Sequence, residues 1–591
     1  MHTDSLENGK PVLFKHAEKV IDMLLLNNSS ALELIQIFDG QEKNPASRDV
    51  IKRRIVKIKE ICPDTRLVSL LLSNSTTTQK FLEVRIAIPV ADYRELRYWD
   101  GLNEKTVKKN QENLYAANSD TFDEQIYPLP DKIYPEIYDE QSKPGNSSAD
   151  FICKEFSGIQ TLMQFPAAAL SNESFVLGFG LDPRQDFSYH SSGINPSQSG
   201  FYFSVKTVLE PYEKDVSINF MVMTIKGKFG FRHILNSYYT AFPKLYTFAK
   251  NIDQRLLGPA ETFKTHVGYK CNGIALEEFR RFRTYWINFI FEWYAHKDGL
   301  GLYLDEKVFG ENYLKDYEDS IIGNQSIAKA NKLIAEGSEL IKTQCAVSMG
   351  ETFENGPRVV FENWPDSILI RSNGKPIHRQ NKMNGDSYVS FTYACKFWEF
   401  LKKTVEMTIA EYKPSSLYID NCQGPRPNFN ESIPKIPARS FTEGKPYISQ
   451  GYGNMKLLQY MQSFQSSRGK RIATVANTPS DYMVARTCDA ALVEGGAWLG
   501  ETEWAWGLRK LMGKKPVVQW GPKGFKNWLE YSEDEGRGII EKQVKVALLF
   551  SLNTGCLLNT AHAVRGYATS LAWLPDLINI ARKGWEPVTN A

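Results

Sequence analysis

Through the first 245 residues, apolar and polar positions alternate with a period of two. In RLVSLLLSNSTTTQKFLEVRIAIPV (Arg66–Val90) two β-rich runs flank a Ser/Thr/Asn turn, and the second puts Leu82, Val84, Ile86 and Ile88 on one face. ESFVLGFGLD, SGFYFSVKTVLEP and DVSINFMVMTIKG repeat the pattern, and helical periodicity is scarce. The expectation is an antiparallel β-sandwich over residues 1–245. Inside it, residues 102–150 are polar and rich in Asn, Asp, Lys and Pro, the composition of a long surface excursion. KRRIVKIKE (Lys52–Glu60) threads Lys and Arg between Ile and Val, as an edge strand guarded by lysines does.

The pattern changes after GFRHILNSYYTAFPKLYTF (Gly230–Phe248), which has the spacing of an amphipathic helix broken at Pro243. Short β-runs now alternate with helical stretches. The candidate strands are Tyr285–Phe291, Gln344–Ser348, Ser416–Asp420, Arg471–Ala476, Ala490–Glu494, Pro516–Trp520 and Gly555–Leu558. Between them lie candidate helices Ala394–Tyr412, Asn454–Ser467, Glu501–Met512, Ile539–Leu552 and Leu571–Arg582. Such alternation implies a parallel sheet covered by helices, and without a glycine-rich nucleotide turn it predicts a (β/α)8 TIM barrel over residues 246–591.

Composition removes several function classes. A chain of 591 residues exceeds one ordinary core, which agrees with a multidomain protein. Its 71 basic and 68 acidic side chains leave a formal charge of only +3, against bulk attraction to nucleic acid. No window reaches the roughly 18 apolar residues of a membrane span. The eight cysteines are scattered without a CxxC, and HExxH, P-loop and GxGxxG are missing, so neither a metal nor a cofactor is expected. The start, MHTDSLENGK, is too polar for a signal peptide; a secreted or periplasmic protein would need a leader removed before it, a cytoplasmic one would not.

In a barrel, chemistry collects where strands end in the loops of the C-terminal face. SLYIDNCQGP leaves its strand on Asp420, RIATVANTPSDY on Asn477, DAALVEGGAW on Glu494 with Trp498 behind it, and KPVVQWGP on Trp520. INFIFEWYAHKDG adds Glu292 and Trp293, with Asp298 and Glu306 close behind, and the helix after Glu494 carries Arg509. Acids, amides and tryptophans at one end are what a sugar site requires: two carboxyl groups to react, amides for hydroxyls, flat rings for C–H faces. Each also has a plain structural explanation. An Asp after a strand is commonly a turn former or helix cap, a lone Trp is usually packing, and Arg509 reads equally as a surface helix charge.

The series YIDNCQG, VANTP, DAALVEGGAW, GLRKLMGKKPVV and LPDLINIARKGWEPVTNA resembles a little-characterised group of glycoside-hydrolase-like proteins, in which a β-sandwich precedes a TIM barrel. LMQFPAAALSNESFVLGFGLDP and FRHILNSYYTAFPKLYTF resemble the same group's passage from sandwich to barrel. The group's general likeness to retaining α-glycosidases implies a nucleophilic carboxylate at Asp420 and an acid/base at Glu494. The expected partner is then an oligo- or polysaccharide. A carbohydrate-binding protein that kept the barrel without the chemistry stays open, as does a lyase or epimerase acting on a sugar.

Overall fold

The computed structural model describes residues 6–7, 10–11, 34–39, 51–89, 96–107, 114–117, 165–195, 200–252, 342–345, 365–367, 370, 372–374, 416–419, 422, 427–466, 469–477, 479, 481–493, 502–520 and 557–559, with helical positions scattered through 395–410. The strands open with β1 (Leu6–Glu7), β2 (Lys10–Pro11), β3 (Ile35–Asp39), β4 (Ile51–Cys62), β5 (Thr65–Asn74) and β6 (Lys80–Ile88). There follow β7 (Arg97–Trp99), β8 (Glu104–Thr106), β9 (Leu114–Ala117), β10 (Ala167–Ser171) and β11 (Phe175–Leu181). The run closes with β12 (His190–Asn195), β13 (Gly200–Leu209) and β14 (Val216–Lys226).

Apart from the β1–β2 pair, these strands build two antiparallel sheets, one ordered β4-β5-β14-β11-β10-β7-β8 and the other β3-β6-β13-β12-β9. They pack face to face: Phe179 of β11 stacks on Phe201 of β13 with ring centres 5.1 Å apart, and Tyr98 of β7 shares a 2.9 Å hydrogen bond with Ser192 of β12. The period of two does its expected work in β6, where Leu82, Val84, Ile86 and Ile88 are all buried. Lys52–Glu60 lies in β4, at the edge of its sheet. The stretch read as a surface excursion contributes β8 and β9, each at the outer end of a sheet; 118–150 lie outside the described residues.

Every residue of β11 is buried, because its second face is covered by helix α1 (Phe231–Ala241). Two glycines permit the approach. A Cβ on Gly178 would stand 2.4 Å from Ile234 Cδ1, and one on Gly180 2.2 Å from Tyr238 Oη. The helix stops where the sequence says it should: Phe242, ahead of a proline, leaves helical geometry at φ −129° and ψ 54°, and Pro243 opens α2 (Pro243–Tyr246).

Beyond this helix pair the chain changes to parallel pairing. A six-stranded sheet runs β15 (Lys342–Cys345), β16 (Ser416–Ile419), β20 (Ala473–Asn477), β21 (Ala490–Val493), β22 (Val517–Trp520) and β23 (Leu557–Asn559), with every neighbouring pair parallel. Helices α3 (Gln450–Met461), α4 (Tyr482–Thr487) and α5 (Thr502–Met512) alternate with it. Residues 396–410 hold helical positions with Trp398, Val405 and Ile409 buried, inside the expected Ala394–Tyr412 helix. The expected strand Tyr285–Phe291 and helices Ile539–Leu552 and Leu571–Arg582 lie outside the described residues.

Three features depart from the periodicity. A small antiparallel sheet of β17 (Pro427–Asn428), β18 (Ser440–Thr442) and β19 (Lys445–Ser449) is inserted after β16. It docks on the sandwich, with Phe441 edge-on to Phe81 at 5.4 Å and Arg439 paired to Glu210 at 2.5 Å. Burial works against the Glu210 carboxylate, but hydrogen bonds from Arg439 and Gln79 outweigh it and hold its pKa below the usual range. Helix α3 starts at Gln450 rather than Asn454, because Ser449 caps it ahead of two glycines that look like a turn in sequence. Helix α4, of six residues, is too short to show a period.

Candidate active site at the C-terminal edge of the parallel sheet

Register fixes which strand ends meet. Ile419 pairs with Ala476, Asn477 with Leu492, Val493 with Gln519 and Trp520 with Asn559. The last residues of β16, β20, β21, β22 and β23 therefore form one edge, with β20 between β16 and β21. Asn477 ends the middle strand and its side chain is buried. Trp520 ends β22. Asp420 and Glu494, the residues that follow β16 and β21 in the chain, lie outside the described residues, as do Trp498, Glu292, Trp293, Asp298 and Glu306.

Helix beginnings gather on this same edge, because each helix runs back after its strand. Asp481 caps α4, its carboxylate accepting from Met483 N at 2.7 Å. Ser449 caps α3, its hydroxyl accepting from Gly451 N at 3.0 Å and donating to Asp481 Oδ2 at 2.9 Å. The approach requires glycine at 451, where a Cβ would come within 2.3 Å of that carboxylate oxygen. Burial pushes the Asp481 carboxyl up to about 6, although the Met483 N–H, the Ser449 hydroxyl and the Arg486 guanidinium favour its charge.

The sandwich reaches this edge through the loop between β11 and β12. Ser188 of that loop accepts from Ser449 N at 2.9 Å and donates to the Ala438 carbonyl at 2.6 Å. Tyr482 Oη accepts from Phe187 N at 2.9 Å and donates to the Gln185 carbonyl at 2.8 Å. Arg486 binds the carbonyls of Pro183 and Gln185 and the Asp186 carboxylate. His190, at the start of β12, stacks on Phe203, and burial lowers its pKa to about 3, which keeps the ring neutral. The turn YWDG (Tyr98–Gly101) of the sandwich packs on the helices instead. Trp99 stacks on Phe231, Asp100 caps its own turn through Leu102 N and Asn103 N, and Leu102 O accepts from Lys510 Nζ.

Arg509 is not a surface helix charge: the side chain is buried and its Nη2 donates to the carbonyls of Gly513 and Lys515. Those residues lead into the first residue of β22, at the opposite edge of the sheet. Lys515 is there too, its Nζ donating to the carbonyls of Ala485, Arg486 and Cys488 at the end of α4. Burial lowers its pKa to about 8. Ser449 and Asp481 are the site-edge residues that strand-exit reasoning missed. The signal for Asp481 was present, since an Asp ahead of a helical run is a cap motif.

No protein-family model and no curated protein matches the chain. Among solved structures it is similar to the GH36 α-galactosidase AgaA from Geobacillus stearothermophilus, at 12% identity and a TM-score of 0.44 over 93% of this chain and 76% of that one. It is also similar to the α-galactosidase TtGalA from Thermus thermophilus in complex with stachyose, at 12% identity and a TM-score of 0.39 over 86% and 93% of the two chains. A chain of the ER glucosidase II heterodimeric complex, which consists of the catalytic subunit and the binding domain of the regulatory subunit, is similar at 9% identity and a TM-score of 0.33, over 94% of this chain and 68% of that one.

Proposed function

We propose that the protein is a glycoside hydrolase whose sandwich, residues 1–245, supports a (β/α)8 barrel, residues 246–591, with its reaction centre at the strand edge around Asn477. One observation carries the reading: the strands that run into Asp420 and Glu494 flank β20 in parallel register, with Asn477 at its end. What supports the reading is the register of the described strand ends, Ile419 beside Ala476 and Asn477 beside Leu492, with Asp420 and Glu494 following these strands in the sequence. Neighbouring strands are about 4.8 Å apart, so β16 and β21 run about 10 Å apart across β20, a spacing that two acid side chains converging from them can bridge.

In this reading Asp420 attacks the anomeric carbon while Glu494 protonates the leaving oxygen, and water then resolves the glycosyl–enzyme with Glu494 as base. Asn477 binds a sugar hydroxyl, and Trp498 and Trp520 offer apolar faces. Glu292, Trp293, Asp298 and Glu306 would line the remaining rim. The test is a panel of p-nitrophenyl glycosides, α-galactoside and α-glucoside included, followed by Asp420→Asn. The parent should release nitrophenol from at least one member with retention at the anomeric carbon, seen by NMR of the first product. The variant should fold normally and release none. Equal turnover by parent and variant sinks the assignment of Asp420.

A further inference from the structure

Ser188, Ser449 and Asp481 form a continuous line from the sandwich to the strand edge. Ser188 lies in the β11–β12 loop, Ser449 at the cap of α3 and Asp481 at the cap of α4, joined by bonds of 2.9 Å and 2.9 Å. Asp481 follows Asn477 by four residues, with buried Pro479 between them. Asn477 is held by the β20–β21 ladder, and Asp481, four residues on, by the two caps. A second tether, Tyr482 and Arg486 to Gln185 and Asp186, keeps α4 on the same sandwich loop.

We propose that Ser188, Ser449 and Asp481 are positioning residues, a hydrogen-bonded relay through which the sandwich loop 182–189 fixes the strand exit at Asn477. The sandwich is then a working part of the site and not merely a brace beside it. Three observations converge on this. The line is buried at every member. Gly451 leaves room for the carboxylate where any side chain would collide with it. Asp481 is an acid held out of water at the site's edge, an arrangement that a simple cap on an exposed helix does not need. Its effect on turnover rests on the glycosidase reading; its effect on the strand exit does not.

The experiment uses the full chain with Ser188→Ala, Ser449→Ala, Asp481→Ala and Asp481→Asn. Hydrogen exchange should rise about tenfold across 473–483 in the three alanine variants and stay at parent level across 502–512, as local opening does. Asp481→Asn, which keeps an acceptor for Met483 N, should exchange like the parent. With the p-nitrophenyl glycoside that the parent cleaves, the alanine variants should lose about tenfold or more in kcat with KM within about twofold, the mark of misplaced groups. Unchanged exchange over 473–483 overturns the relay, and so does a uniform rise across the chain, which would report lost stability instead. If the parent cleaves no member of the panel, the glycosidase reading fails and exchange alone decides the relay.

Discussion

The Ser449 hydroxyl donates to the Asp481 carboxylate at 2.9 Å while each side chain also caps its own helix. The two helix beginnings are thereby fixed to each other, on the edge where β16, β20 and β21 end. The arrangement keeps a carboxylate out of water with only hydrogen bonds and the nearby Arg486 to favour its charge.

Stability should therefore depend on pH through Asp481. Its pKa stands at about 6 when folded, against about 4 in an unfolded chain, so the folded state binds the proton more tightly. The contribution of this group is fully present below about pH 4 and is lost as pH rises through about 6, by about 3 kcal/mol. Urea midpoints at pH 4.5, 5.5 and 7, corrected for the parent's other titrations by subtracting Asp481→Asn, should show that fall. A difference curve that is flat over this range removes the buried ionisable group from the account.

Gly180→Ala tests the contact between β11 and α1. The new methyl would lie 2.2 Å from Tyr238 Oη, whose hydroxyl is bonded to the carbonyls of Pro166 and Leu181. Relief by moving the ring breaks those buried hydrogen bonds, and relief by moving the helix opens the core. A loss of about 1–3 kcal/mol is expected from overpacking alone. Equilibrium unfolding measures it, and Tyr238→Phe should recover only part of the loss in the double variant, since the Ala167 Cβ and the Pro166 carbonyl oxygen, each 2.7 Å from the new methyl, stay in place.

How much of this was legible beforehand follows from which signals are local. The sandwich strands alternate plainly because one face is buried, as Leu82, Val84 and Ile86 show. The break at Pro243 follows from proline's own geometry. The parallel strands read correctly to within two residues at most ends, since short Val- and Ala-rich runs between helices have few alternatives. Arg509 could not be placed from sequence, because a cation on a helix looks the same whether it meets water or two carbonyls. Gly178, Gly180 and Gly451 were silent for a similar reason: each makes room for an atom thirty or more residues away in the chain. Ser188 joined the strand edge only through a loop of the other sheet system, and no spacing within the last 340 or so residues encodes that contact.

Lys515→Met should destabilise the fold although methionine fits the space. Three carbonyls at the end of α4, those of Ala485, Arg486 and Cys488, would lose their donor in a buried place. A loss of about 2–4 kcal/mol at pH 7 is the expected scale for several unpaired acceptors. The pH dependence has the opposite sense to that of Asp481. With the lysine pKa lowered to about 8, the unfolded chain holds more protons between about pH 8 and 10.5, so this group's contribution rises with pH there and the variant should lack the rise. Thermal unfolding at pH 7, 8.5 and 9.5 separates the two effects.

Glu494→Gln tests the acid half of the proposed pair through the leaving group. An acid that protonates the departing oxygen matters most when that oxygen is a poor leaving group and least when it departs readily as an anion. The variant should therefore lose about 10²–10⁴-fold in kcat/KM on an alkyl glycoside but far less on a dinitrophenyl glycoside of the same sugar. Asn477→Ala gives the contrasting pattern. An amide that only binds a hydroxyl should weaken both substrates by the same factor, because its hydrogen bond is indifferent to the leaving oxygen. Asn477 ends the strand between β16 and β21, so under the proposed reading these two variants and Asp420→Asn probe one edge with different chemistry. If Glu494→Gln lowers both substrates equally, the proton donor belongs to another strand.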